Sequence, residues 1–536
     1  MITRFSKIFA VISVLAGSLC GGIASLFAAE PPRLIVNIVV GSMSAEALQK
    51  YSARYEEGGL RKLLTEGAVF TDARYDCMQT VTPASLATLS TGSRPSTHGI
   101  ISQKWFDYTT GKRTELTDDE REIDFDLRDG KRGHSARHLT APTLADVMMR
   151  ADTCSKVVSI AIDPVSSIVP TGKKGFCFWM DAESCRWTTS TYYMPILPSW
   201  VKSYNAEDMH ARFLTGMWAP RFDKSTYSNF RSTLLFTPAP KFSLFRKPPK
   251  NILSDYEKIT RTPIGHTVLF DFAKYAVKCL NLGNDEHPDL LNICLDTAGD
   301  IAERYGTESV EFEDMIYRLD LDLKEFLAYL NVHLKDKGSL LVVFTSAHGS
   351  APAFDIDGSP KDRFNVPQFE VILNAYLSAK YGQGEWVLGY SDRSIYLNRN
   401  LADEKRLALA TVQNEAAAFA LRFRGIAHAL SSTMLQSSYF ADGYAHKMQN
   451  GFYPRRSGDV IIDLMPEWME EREDFVSQSG SMYGYDTHVP LIFYGAGVKP
   501  QTRNATTDPT TVAPTLARIL KLGELPAAEA KPLILE

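Results

Sequence analysis

Thr82 opens the stretch TPASLATLSTGSRPSTHGI and offers a hydroxyl that a metal or a neighbouring base would have to activate before it could attack anything. Its plainer use, at a strand-to-helix turn, is to cap the helix. His348, in FTSAHG, carries an imidazole suited to a metal, although a histidine standing alone is more often structural. Asp296 and Asp300 are spaced i, i+4, so a helix would put both carboxylates on one face, where with Glu303 they could rebuild part of a metal site. His134 and His138 share that spacing. HSARH lacks the glutamate of a zinc-protease HExxH and lies in a polar stretch, which favours solvated loop histidines. His266 has no ligand partner in its surroundings. Apart from Cys20, the cysteines are Cys77, Cys154, Cys177, Cys185, Cys279 and Cys294. None forms a CxxC pair, so no structural zinc cluster is expected. Cys177 and Cys185 either bridge a hairpin in an oxidising compartment or stay as buried thiols.

The elements that must position these residues read as an alternation. RLIVNIVV (33–40) is a short β-branched run, and helical patterning follows from Ser44 to Glu66. VVSIAI (157–162), LLNICL (290–295), LLVVFT (340–345) and VPLIFYG (489–495) are further runs of the same buried, parallel kind, with helical segments such as 312–335 between several of them. This predicts an α/β fold, a mostly parallel sheet sandwiched by helices, with the functional site beyond the carboxyl ends of the strands. Residues 105–140 are polar and read as an exposed insertion. Residues 180–260, rich in Pro, Trp, Tyr and Phe, read as a cap over one edge of the sheet.

Bulk composition adds exclusions. With 44% hydrophobic and 23% charged residues over 536 positions, the chain is an ordinary globular protein and not a disordered one. A net charge of −5 and the lack of a Lys/Arg block give no footprint for nucleic acid. At the N-terminus, Arg4 and Lys7 precede an apolar run from Ile8 to Ala29 that ends in small residues before Glu30. That is the pattern of a secretory signal over residues 1–29, leaving 30–536 as the mature domain in the periplasm or outside the cell; the competing reading is an uncleaved anchor, since the run is about long enough to span a bilayer.

GGLRKLLTEGAVFTDARYD (58–76) and the Thr82 segment resemble the nucleophile region of the alkaline phosphatase superfamily, in particular its phosphate-irrepressible, threonine-nucleophile members. FWMDAESCRWTTSTYY (178–193), TPIGHTVLFDFAKYAV (262–277), GTESVEFEDMIYRLDLDL (306–323), FTSAHG, YGYDTHVPLIFYG (483–495) and TTVAPTLARIL (510–520) continue the resemblance in order, over nearly the whole mature chain. The resemblance implies a two-zinc phosphomonoesterase or phosphodiesterase with Thr82 as nucleophile. It also implies where the zinc ligands should be, three Asp and three His, and most are absent. Gly41 stands at the Asp ending the first strand. Gly299 and Glu303 stand at an Asp-x-x-x-His pair. Ala347 and His348 stand at an Asp-His pair, and Ser479 at the last His. The phosphate-holding Lys, Arg and Asn fall on Asp163, Val165 and Gln103. His98 and His488 sit in family-like context without being ligands there.

The expectation is therefore a catalytically degenerate member that needs no zinc. Its old cleft would serve a small ligand, or the chain would contact an envelope protein. The competing expectations are an active phosphoesterase using Thr82 and a purely structural envelope subunit.

Overall fold

The computed structural model describes residues 30–125, 132–208, 211–214, 218–229, 254–354 and 361–535. The expected leader, 1–29, lies outside these residues, as do 126–131 of the expected insertion and 209–210, 215–217 and 230–253 of the expected cap.

Strands β1 (Leu34–Val40), β2 (Ala68–Arg74), β3 (Val157–Ile160), β4 (Phe176–Met180), β5 (Trp187–Thr188), β6 (Asp289–Leu295), β7 (Leu340–Ser346), β8 (His488–Gly495) and β9 (Gln501–Arg503) form one nine-stranded sheet. Its order is β9-β2-β8-β7-β1-β6-β3-β4-β5. β1 lies at the centre, parallel to both β6 and β7, and both of those strands are buried along their whole length. Alternate residues of β1 feed two cores: Leu34, Val36, Ile38 and Val40 on one face, Ile35 and Val39 on the other.

The expected fold class holds, with one correction. β8 runs antiparallel to β7 and β2, Thr345 pairing with Leu491. A strand covered on both faces is continuously apolar whichever way it runs, so VPLIFYG carried no sign of its direction. A second correction concerns Ser44 to Glu66, which breaks into Ala45–Lys50, a short 3-10 turn and Leu60–Glu66. The break is enforced at Gly59, where a Cβ would sit 2.2 Å from Asp320 Oδ1. The Asp320 carboxylate in turn accepts from Glu56 N and Leu60 N, both at 2.6 Å.

The two disulfide candidates are on opposite faces. Cys177 packs in the β1 Val39 core and Cys185 in the β1 Val36 core, and both are free thiols. The polar stretch 105–140 contains ordered hairpins, Lys104–Asp107 with Lys112–Glu115 and Asp118–Ile123 with Arg132–His134. His134 and His138 therefore do not share a helix face, and His134 Nδ1 bonds Asp124 Oδ2 at 2.6 Å.

Four helices matter for the site and its cover: α1 (Thr82–Thr91), α2 (Pro164–Thr171), α3 (Thr297–Tyr305) and α4 (Val310–His333). α4 buries Glu313 and Asp314 to hold down the cap segment. Asp314 accepts from Trp218 Nε1 and Arg221 N, both at 2.7 Å, and from the Tyr227 hydroxyl. Glu313 accepts from Ser228 N at 3.0 Å and Asn229 N at 2.9 Å. One lobe was not foreseen. Val387–Ser391, Ser394–Leu397, Val460–Leu464 and Ile426–Ser431 make a separate four-stranded sheet, covered by helices Val366–Tyr381 and Leu409–Ala420 over its own core around Phe369, Trp386 and Ile462.

Candidate functional site

The first turns after β3, β6 and β7 converge beyond the carboxyl ends of these parallel strands, as the α/β reading required. Together with the start of α1 and the loop before β8 they enclose an open cleft of about 300 Å³. Thr82, Asp163, Asp296, Gly299, Asp300, Glu303, His348 and Ser479 line it. Gln103 and Val165 belong to the same wall, whereas Gly41 and Ala347 are not among the residues that line the cleft. Asp392, Arg472 and Gln478 also line it. They come from the unforeseen lobe and the segment that returns from it, where no local motif marks them.

At the cleft floor, Thr82 Oγ1 lies 3.0 Å from His348 Nε2. His348 Nδ1 faces the Gly349 carbonyl oxygen at 2.6 Å, so Nδ1 must carry the proton. Nε2 is then an acceptor, and the Thr82 hydroxyl donates to it. Burial lowers His348 to about 4, so the ring is neutral at physiological pH. Thr82 is thus the first residue of α1 and not its N-cap, a position held by Val81 without a side-chain bond.

The wall is dominated by carboxyl groups. Asp296 turns away from Asp300: its Oδ2 accepts from Ile162 N at 2.9 Å and Asp163 N at 3.1 Å. Asp163 caps its own helix α2, accepting from Val165 N at 2.8 Å. Burial, and then the neighbouring Asp163, raise Asp296 to about 6, and burial raises Asp163 as well. Asp300 is held by Arg304 Nε at 3.0 Å, so the i, i+4 carboxylates do not act as a pair. Burial lifts Glu303 to about 7 against the pull of Arg472, whose Nη1 is 3.3 Å from Glu303 Oε2. Burial likewise raises Asp392 to about 6.

A model of the family described as type I phosphodiesterase / nucleotide pyrophosphatase matches residues 35–486. The chain belongs to that family. It is 28% identical over 538 residues to alkaline phosphatase PafA of Elizabethkingia meningoseptica, covering 97% of both chains. It is 30% identical over 514 residues to a Myroides odoratus protein named calcium-transporting ATPase, covering 92% of both. The crystal structure of PafA superposes with a TM-score of 0.86 at 26% identity, covering 94% of this chain and 99% of that one. Murine ectonucleotide pyrophosphatase/phosphodiesterase 5 shares the fold, with a TM-score of 0.52 at 13% identity. The alkaline phosphatase superfamily fold is therefore that of this chain.

For a phosphodiesterase-family cleft, the donor set does not suit two zinc ions. Gly41 and Gly299 face each other, an added Gly299 Cβ falling 3.8 Å from the Gly41 carbonyl carbon. A Cβ on Gly41 would meet Leu295 O at 3.0 Å, Gly299 N at 3.1 Å and Asp296 O at 3.2 Å, so a side chain there would need the surrounding backbone to give by a few tenths of an ångström. Ala347 is fully buried, its N bonded to Val40 O at 2.8 Å. His348 Nε2 is engaged by Thr82, and Glu303 by Arg472. Among the described residues, the one set of three His, Cys, Asp or Glu ligand atoms within 4.8 Å of one another lies elsewhere, at Asp152, Cys154 and His287.

Proposed function

We propose that this chain is an exported member of the family that has given up two-zinc phosphatase chemistry and uses the old cleft to bind a small polar ligand. The observation that carries the reading is the floor of the cleft. Backbone closes in on Gly41, Ala347 offers no ligand, and the imidazole that remains is hydrogen-bonded to the hydroxyl a metal would have to activate. The names of the relatives supply the activity of departure, phosphate-ester hydrolysis. What this chain retains is the shape.

The wall supports a ligand that donates hydrogen bonds or carries positive charge. Asp163, Asp296, Asp300, Glu303 and Asp392 face it, and Arg472 is already paired. A phosphoryl group would meet Asp163 where the resemblance places a cation, and like charges at such range repel. An open, polar-lined cleft favours ligand binding over the purely structural reading, in which the cleft would be filled.

One contact favours the active-hydrolase reading: the Thr82–His348 hydrogen bond has nucleophile–base geometry. A base lowered to about 4 takes a threonine proton poorly, so that contact is better understood as mutual satisfaction of two buried groups.

Zinc calorimetry on the wild type and on His348→Ala tests the proposal. Identical isotherms are expected, because no zinc ion uses His348. A zinc site present in the wild type and missing in His348→Ala would overturn it.

A further inference from the structure

Asp152 is the C-cap of helix Leu144–Ala151, and Cys154 follows two residues later, just ahead of β3. His287 comes from the loop ahead of β6, the neighbour of β3 in the sheet. The three side chains therefore meet at the amino ends of the parallel strands, the end of the sheet away from the cleft. Their ligand atoms lie within 4.8 Å of one another, His287 Nδ1 being 2.7 Å from Asp152 Oδ2. Cys154 is exposed, and Asp152 and His287 are partly so, which leaves room for solvent on the open side.

The surroundings orient the group. Cys154 N donates to Asp152 Oδ1 at 2.9 Å, which closes the Asp-x-Cys turn. Asp285 Oδ1 accepts from His287 N at 3.0 Å, while its Oδ2 takes Lys156 Nζ at 2.7 Å, tying the histidine loop to the segment that carries the cysteine. Lys156 also lies 3.7 Å from Asp289 Oδ2. The supporting carboxylate and ammonium thus balance each other, and the three inner groups are left to the outer side.

We propose that Asp152, Cys154 and His287 form a surface site for a zinc-like divalent cation, with water in the fourth position. One thiolate, one imidazole and one carboxylate form a mixed S/N/O set suited to a borderline-soft metal, whereas calcium and magnesium prefer oxygen ligands throughout. The pairing of a Cys and an Asp two residues apart with a histidine 133 positions away, from adjacent strands, fixes the site only in the folded chain. On binding, the thiol proton is released to solvent, and the proton shared by Asp152 and His287 Nδ1 leaves Nδ1, passing to Nε2 where the ring is neutral and to solvent where it is an imidazolium.

Cobalt(II) is the probe, added to the intact chain kept reduced with a non-thiol reductant. The expected result is one cobalt per chain with a near-ultraviolet thiolate-to-cobalt charge-transfer band. That band disappears in Cys154→Ser, binding weakens at least tenfold in His287→Ala, and Cys279→Ser behaves as wild type. All three variants are checked for an unchanged thermal midpoint. Absence of the band in the wild type, its survival in Cys154→Ser, or its loss in Cys279→Ser would each overturn the proposal.

Discussion

Glu303 is where charge and surroundings conflict most openly. It keeps an oxygen where the resemblance implied a histidine ligand, and burial raises its carboxyl from 4.5 to about 7. Between those two values the folded chain holds a proton that the unfolded chain has released, so this group's stabilising contribution is complete below pH 4.5 and is lost as pH rises through 7. Glu303→Gln removes the titration. The variant should gain about 1–2 kcal/mol over wild type at pH 8 relative to the same comparison at pH 5, read from urea unfolding. Equal differences at the two pH values would show that the carboxyl is not held up. At Gly41 the conflict is steric. Gly41→Asp should cost about 1–3 kcal/mol because the new Cβ presses on the backbone of Leu295, Asp296 and Gly299. Together with Ala347→Asp it should give little phosphatase turnover, since Gly299, Ser479, Asp163 and Val165 are unchanged. Vigorous turnover by the double variant would mean that two carboxylates suffice to rebuild the centre.

Single elements show which parts of the chain could be read in advance. β1, β3, β6 and β7 were legible because a fully buried parallel strand is an uninterrupted apolar run, and the residues following them led straight to the cleft. The direction of β8 was not, because pairing direction leaves no mark on composition. The lobe carrying Asp392, with Arg472 on the segment that returns from it, was missed because its short strands and amphipathic helices resemble any peripheral α/β insertion. The Thr82–His348 bond joins residues 266 positions apart and has no local signature. α4 illustrates a third case: nothing local in its sequence marks Glu313 and Asp314 as buried, yet both are, and they hold the segment 218–229. Asp314→Ala strands the Trp218, Arg221 and Tyr227 donors. It should destabilise by about 2–4 kcal/mol and expose residues 218–229 to limited proteolysis well before the central sheet. Cleavage no faster than in wild type would mean that Glu313 alone holds the segment.

For the molecule as a whole, the sheet gathers strand ends into one cleft as the shared fold does, and the proposal is that the groups in that cleft have changed. The fold brings Thr82, at the start of α1, to His348, just after β7, so the two meet at 3.0 Å across 266 positions of sequence. Hydrolysis of phosphate esters is among the slowest uncatalysed reactions, and the family's answer is metal-centred charge stabilisation. On the proposed reading, the missing metal donors and Asp163 at a cation's position take that answer away from this chain. The most direct measurement is steady-state hydrolysis of an aryl phosphate monoester by the mature wild type, with and without added zinc, beside Thr82→Ala. No turnover above the Thr82→Ala background is the expected result in either condition. Robust zinc-dependent hydrolysis that vanishes in Thr82→Ala would contradict the loss of phosphatase chemistry proposed for this chain.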